Sequence, residues 1–290
     1  MNLKLAALVA ATLWGFTYII SATMLPHNPM FIAAVRALGG GLALLLIARQ
    51  WPPAGAWWRL IVLGTLNFAL FFSLLFVGAL RLPGGIAGTF QTLTPLASIL
   101  LVWMLMGQKP SVLRIVSVLI GAAGVALVIL RGDAALDAVG VAAALSSMLA
   151  GSLGGVLVSK WGRPPGLSML GFTGWQLVIA GAELVAVTLV ARDIPASLSG
   201  INLLGLALVA LALTALPFTL WFRAIAGLGA AGATPFILVT PIVAFVLDAA
   251  IRGVVPSLLQ SAGVVLVLVG LVLNQWTGAR RPAAAPTPPA

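Results

Sequence analysis

The chain has 290 residues, of which 62% are hydrophobic and only 7% are charged. Soluble domains of this size carry about 25% charged and about 45–50% apolar residues, so the composition excludes a soluble globular protein. The formal charge of +10 does not point to nucleic acid, because the basic residues stand singly or in pairs between apolar blocks.

The apolar residues fall in blocks of about twenty, the length an α-helix needs to cross a ~30 Å hydrocarbon core. In chain order they predict ten spans, over 4–23, 29–48, 60–80, 84–105, 111–130, 138–159, 167–190, 202–222, 231–251 and 257–276. Barrel strands would alternate in polarity, and runs such as Leu42 to Ile47 do not. The first span follows Lys4 as a signal peptide would, but it lacks a small-x-small cleavage site at the right place and reads as an uncleaved helix. With the N-terminus inside, the inner loops receive Lys4, Arg49, Arg59, Lys109, Arg114, Lys160, Arg163, Arg223, Arg280 and Arg281. The outer loops receive only Arg81, Arg131, Arg192 and Arg252, together with the acidic Asp133, Asp137 and Asp193. This asymmetry predicts that both termini are cytoplasmic, and Trp51, Trp57, Trp58, Trp161 and Trp276 fall where indoles anchor at the inner interface. Residues 278–290 are Pro/Ala-rich and read as a disordered cytoplasmic tail.

The two halves resemble each other. The offset of 146 that carries Phe72 to Phe218 also carries Phe76 to Phe222, Ala87 to Ala233 and Phe90 to Phe236. It carries Thr94-Pro95 to Thr240-Pro241, Gly107 to Gly253, Pro110-Ser111 to Pro256-Ser257 and Gly124 to Gly270. The match fades in the first two spans, where an offset of 140 aligns Gly41 with Gly181 and Arg36 with Gln176. Residues 1–131 and 132–277 therefore read as two five-span repeats. Five is odd, so the second repeat enters the membrane upside down. Inverted repeats are the signature of alternating-access transporters, with substrate held near the midplane.

In this pattern the chain resembles the EamA-type drug/metabolite transporter superfamily. The residues that carry the resemblance are Gly78-Ala79-Leu80, Thr94-Pro95, Gly107 and Gly124-Val125, repeated as Phe222-Arg223-Ala224-Ile225, Thr240-Pro241, Gly253 and Gly270-Leu271. Within the superfamily it is most similar to the YddG-type exporters of aromatic and other amino acids. The resemblance implies a basket of helices around a central cavity, with export to the outside across the inner membrane. One departure is that Gln108 and Val254 stand where the family usually has glutamate.

The residues that would line such a cavity are the large polar and aromatic groups inside the spans. The polar set is Tyr18, Arg36, Asn67, Gln91, Thr94, Gln176 and Thr240, and the aromatic set is Trp14, Phe68, Phe90 and Trp175. Large polar groups in lipid need partners, whether a substrate or another helix. Arg36 is the only basic residue deep in a span, and it holds a substrate carboxylate, snorkels toward the interface or pairs with Glu183. Pro95 and Pro241 read as symmetric mid-span kinks or hinges, and Pro217 as a third hinge without a partner in the first repeat. Gly84/Gly88, Gly151/Gly155 and the run Gly39-Gly40-Gly41 read as close-packing devices.

A nearly neutral cavity suits a zwitterion or an uncharged solute, and suits a sugar phosphate poorly because no lysine lies in a span. With no cysteine and one histidine, His27, in an outer loop, no nucleophile–base pair, metal cluster or cofactor motif is legible, so an enzyme is not expected. No Walker motif is present, which argues against a primary pump. The reading is a secondary exporter of amino acids, with small-molecule substrate and membrane lipids as partners. Both halves of a pathway lie in one chain, so a monomer suffices, and no obligatory proton or sodium gradient is expected. The alternatives are a lipid flippase or a gradient-coupled metabolite or drug exporter on the same scaffold.

Overall fold

Asn2 opens the first helix: its side-chain oxygen accepts a 3.0 Å hydrogen bond from the Lys4 N–H, one of the donors a helix start leaves unpaired. In the computed structural model of the protein this helix is α1 (Leu3–Thr23), and α2 (Pro29–Ala48) follows with proline in its first turn. The structure describes residues 2–82, 90–91, 93–130, 137–228, 233, 236–237, 239–253 and 257–278. The other helices are α3 (Ala54–Arg81), α4 (Thr94–Met106), α5 (Val112–Leu130), α6 (Ala138–Trp161), α7 (Met169–Ala191) and α8 (Gly200–Leu228). They are completed by α9 (Val239–Leu247, continued as π-helix over Asp248–Arg252) and α10 (Leu258–Gly278). Asp137, Ser168 and Ser199 cap α6, α7 and α8. Gly107 and Gly253, equivalent in the two repeats, both end their helices at φ +68°.

Among the described residues there is no strand, and α1, α2, α3, α6, α7 and α8 are long and apolar enough to cross a membrane. The third helix begins earlier than expected, at Ala54 rather than residue 60, because the short 3-10 turn Ala54–Ala56 runs straight into it. Ala87, Gly84, Gly88, Arg131, Asp133, Val254, Pro256, Arg280 and Arg281 lie outside the described residues, as do the tail from 279 and the side chains of Arg114, Pro241 and Trp276.

The packing is symmetric. Helix α2 packs on α7 and α5 on α10; α3 packs on α6 as α8 does on α1; α4 packs on α6 as α9 does on α1; α3 packs on α7 as α8 does on α2. Exchanging each helix with the one five places on returns the same set. The central pair shows it atom by atom. A Cβ on Gly41 would lie 2.7 Å from the Val178 nitrogen, and one on Gly181 would lie 2.8 Å from the Leu38 Cα. The offset of 140 relates both members of that contact, so the faint alignment of the first two spans is a structural equivalence.

The same pair is strapped at both ends. Arg49 and Arg192 end α2 and α7 in the left-handed region, at φ 50° and 51°. Each is followed by a residue that ties down the start of the other helix. The Gln50 side-chain oxygen accepts from the Ser168 N–H at 2.7 Å, and the Gln50 carbonyl accepts from Trp175 Nε1 at 2.7 Å. The Asp193 carboxylate accepts from the Met30 N–H at 2.7 Å and from Asn28 Nδ2 at 2.8 Å. Since the end of each helix meets the start of its equivalent, α2 and α7 run antiparallel and the repeats are inverted. Asp193→Ala removes both a cap and a charge that favours the α2 N-terminus, and is expected to cost ~1–2 kcal/mol. Unfolding by denaturant titration in detergent checks this, with Asp193→Asn expected to lose less.

Candidate functional site: a central cavity

Two helices are distorted at their centres. In α3 residues Thr65–Leu70 are π-helical, and in α8 residues Leu208–Ala215 are. The offset of 146 overlays these stretches, so the distortion belongs to the repeat. A π-turn pushes one residue out of the regular ladder, and such turns concentrate at functional sites.

In α8 the cause of the broken ladder is legible. Pro217 follows the π stretch and has no N–H to give to the carbonyl four residues earlier, that of Leu213. Arg36 supplies that donor instead: its Nη2 donates to the Leu213 carbonyl at 3.0 Å, and its Nε donates to the Thr214 hydroxyl at 2.6 Å. The Thr214 hydroxyl in turn donates to the Val209 carbonyl at 2.6 Å. The guanidinium lies over the Phe72 ring at 4.3 Å and faces Phe76 at 5.5 Å. Arg36 is 1% exposed, and no acidic residue among the described residues pairs with it. The pairing with Glu183 is not formed, because that carboxylate accepts from the Thr65 hydroxyl at 2.8 Å.

The distorted helix of the first repeat is held by a neutral counterpart from the second. Gln176, which the offset of 140 matches to Arg36, accepts from Asn67 Nδ2 at 3.1 Å, and its own Nε2 donates to the Phe172 carbonyl at 3.1 Å. Asn67 sits in the π stretch of α3 at the position that corresponds to Leu213. Each distorted helix is thus anchored by a polar side chain from the central pair.

A cavity of about 110 Å³ lies between these elements. Of the residues singled out in the sequence, Trp14, Tyr18, Arg36, Asn67, Gln91, Thr94 and Thr240 line it. Four do not. Phe68 is fully buried among Phe72, Phe218 and Phe222. Phe90 is buried in a cluster with Leu75 and Ala244. Trp175 packs against Trp51 and Trp57, next to Gln50. Gln176 is spent on Asn67 and Phe172, so its role is to cement α7 to α3.

Sequence reasoning missed an aromatic wall. Phe218, Trp221, Phe222 and Ile225 line the cavity from α8, and Trp14 meets Phe218 at 4.8 Å and Trp221 at 5.2 Å between ring centroids. The signal was their i, i+3, i+4, i+7 spacing, one face of a helix. Gly151 and Gly155, expected as packing devices, also line the cavity. A Cβ on Gly155 would meet nothing within 4 Å, so that glycine faces open space.

Both Thr-Pro pairs were read as mid-span kinks or hinges. Residues 90–91 are helical, Leu93 lies in a turn, and α4 then starts at Thr94 with Pro95 in its first turn, while α9 runs from Val239, one residue before Thr240-Pro241. Proline is stable there because the first turn has no use for its missing N–H. Thr94 and Thr240 line the cavity, so two helices begin beside it. Thr240 also donates to the Ala11 carbonyl of α1 at 2.9 Å. Pro217 lies within α8 just after the π stretch, where it marks the distortion.

Three buried polar atoms on this cavity have no partner: Trp14 Nε1, Thr17 Oγ1 and Arg36 Nη1. Buried polar atoms are nearly always satisfied, and exceptions gathered in one cavity mark a place for a ligand or solvent. Among the described residues, no group of three His, Cys, Asp or Glu side chains is placed to hold a metal.

The sequence of one family model, described as the EamA-like transporter family, matches residues 3–130 and again 138–276. The chain belongs to the EamA-like transporter family. It is a multi-pass membrane transporter of that family, built from two repeats. Protein PecM of Dickeya dadantii is similar to this EamA-like chain, 34% identical over 276 residues, covering 95% of it and 93% of PecM. The uncharacterized inner membrane transporter YedA of Escherichia coli K12 is 26% identical over 284 residues, covering 94% and 92% of the two chains. A solved crystal structure shares the fold with a TM-score of 0.70 at 18% identity, covering 96% of the EamA-like chain and 98% of its own.

Proposed function

We propose that the chain is a secondary transporter that exports amino acids, aromatic and other neutral ones, and related metabolites by alternating access through the central cavity. The observation that carries this reading is the cavity itself. It lies between two inverted repeats, beside the starts of two helices, with an aromatic wall on one side and amide and hydroxyl groups on the other. The aromatic wall offers a surface for an apolar side chain, and Asn67, Gln91 and Thr94 offer polar atoms that fix orientation. In this reading ten helices span the inner membrane, both termini are cytoplasmic, and a monomer carries the pathway. The similarity to YedA, an inner membrane transporter by its name, supports that location.

Uptake into proteoliposomes without an imposed ion gradient tests the reading. Saturable movement of labelled phenylalanine and threonine, and none of a sugar phosphate, is expected. Movement that requires a proton or sodium gradient would overturn the uncoupled mechanism. No movement of any amino acid through folded protein would overturn the substrate class.

A further inference from the structure

We infer that the cavity is built to receive one negative charge, so that its best cargo is an apolar monocarboxylate without an ammonium group rather than a zwitterionic amino acid. This rests on the cavity being the transport site. A guanidinium stays protonated in proteins, so Arg36 brings a full positive charge to a wall where it is 1% exposed. Its partners, the Leu213 carbonyl, the Thr214 hydroxyl and two phenyl rings, orient that charge without cancelling it. No aspartate or glutamate is among the described lining residues. The two ion pairs among the described residues, Arg81–Asp137 and Arg252–Asp248, do not include Arg36.

The atoms left open are of the right kind. Arg36 Nη1 and Trp14 Nε1 are donors only, and the Thr17 hydroxyl donates or accepts. Trp14 and Thr17 stand three apart on α1 and so share a face. Two N–H donors and a hydroxyl match the two oxygens of a carboxylate. The first turns of α4 and α9, at Thr94 and Thr240, adjoin the same space, and helix starts favour anions.

Among the described lining residues nothing comparable awaits an ammonium. It would find neutral amide oxygens and ring faces, next to an uncancelled arginine, in a medium where a second buried cation is costly. Arg36 is the one charged group among the described lining residues, so a carboxylate alone balances it and a zwitterion does not. The aromatic wall then selects an aryl or branched apolar body.

Three ligands on one phenylethyl skeleton separate the terms: 3-phenylpropionate, phenylalanine and phenethylamine. Binding to the purified full chain in detergent is measured by calorimetry. Binding of 3-phenylpropionate is expected to be at least ~10-fold tighter than that of phenylalanine, because the ammonium is buried without a partner, and phenethylamine is expected to be weakest, because it also lacks the carboxylate. Trp14→Phe keeps the ring and removes the donor, and Thr17→Val keeps the shape and removes the hydroxyl. Each is expected to weaken 3-phenylpropionate by ~3–10-fold. Arg36→Met is expected to erase the preference, and the two milder variants carry the test if that one fails to fold. Phenylalanine binding as tightly as 3-phenylpropionate, binding of none of the three, or indifference to both mild variants overturns the inference. If phenylalanine is still carried into proteoliposomes in those cases, the transport reading stands without it. If 3-phenylpropionate binds as expected but neither compound is transported by folded protein, the transport reading alone fails.

Discussion

Arg36→Met is expected to lower saturable transport by ~10–100-fold while leaving a folded protein, the factor corresponding to one or two lost hydrogen bonds to a charged group. The two halves of that expectation have different causes. Methionine fills part of the arginine's volume and removes the cost of burying a cation, and such replacements are often neutral for stability. The loss on the other side is the Leu213 carbonyl, which Pro217 has already deprived of its helical donor. Thr214 keeps its own bond to the Val209 carbonyl, so the π stretch retains one closing contact. Transport has no such reserve, because Arg36 Nη1 is the only free cationic donor among the described lining residues. Uptake in proteoliposomes, read beside a denaturation curve, separates the two. Arg36→Lys is expected to fail almost as badly, since a compact ammonium cannot reproduce the planar fork that bonds Leu213 and Thr214 while a further N–H stays free.

The second large effect falls on stability. At Gly41 a methyl group would lie 2.7 Å from a backbone nitrogen and 2.9 Å from the Leu177 Cβ, so the clash is with the body of α7 and not with a flexible tip. Gly41→Ala is expected to destabilise by ~1–3 kcal/mol from overpacking, partly offset by the better helix propensity of alanine. Gly41→Leu is expected to yield no folded protein, because the α2–α7 pair cannot close. Gly181→Ala meets Leu38 in the mirror contact and should behave like Gly41→Ala, and the double variant should not be additive because both act on one interface. Gly155→Ala is the control: nothing lies within 4 Å of the added Cβ, so its stability should hold or rise by up to ~1 kcal/mol while the cavity shrinks. Thermal midpoints in detergent decide these cases.

The parts of the fold that were legible are those with a strong one-dimensional signal. The apolar blocks outlined most helices, because the bilayer leaves few other ways to satisfy a backbone. Thr94-Pro95 and Thr240-Pro241 revealed the repeat because both proline and the preceding residue are restricted in what they can adopt. What stayed hidden depends on direction around a helix axis. Trp14 and Trp175 are both mid-span tryptophans, yet one lines the cavity and the other binds the Gln50 carbonyl. Asn67 and Gln176 are both buried amides joined by one hydrogen bond, from Asn67 to Gln176, yet only Asn67 reaches the cavity. Uniformly apolar spans carry no polar face that would show which way a side chain points. The reach of Pro217 was also invisible, since it shows itself only when Arg36, from another repeat, takes the carbonyl it frees.

That last contact breaks the two-fold relation. A transporter that alternates by exchanging the shapes of its two repeats would, with identical repeats, populate its two facing states equally. Any contact without an equivalent becomes a weight on that balance. Here Arg36, with its charge, its two bonds and its phenyl stack, stands opposite a neutral Gln176, and Pro217 stands opposite Phe71. A difference of 1.4 kcal/mol between the two anchors is a tenfold tilt in a two-state equilibrium. Under the proposed alternating access, the resting orientation of the empty carrier is written in the few positions where the second repeat departs from the first.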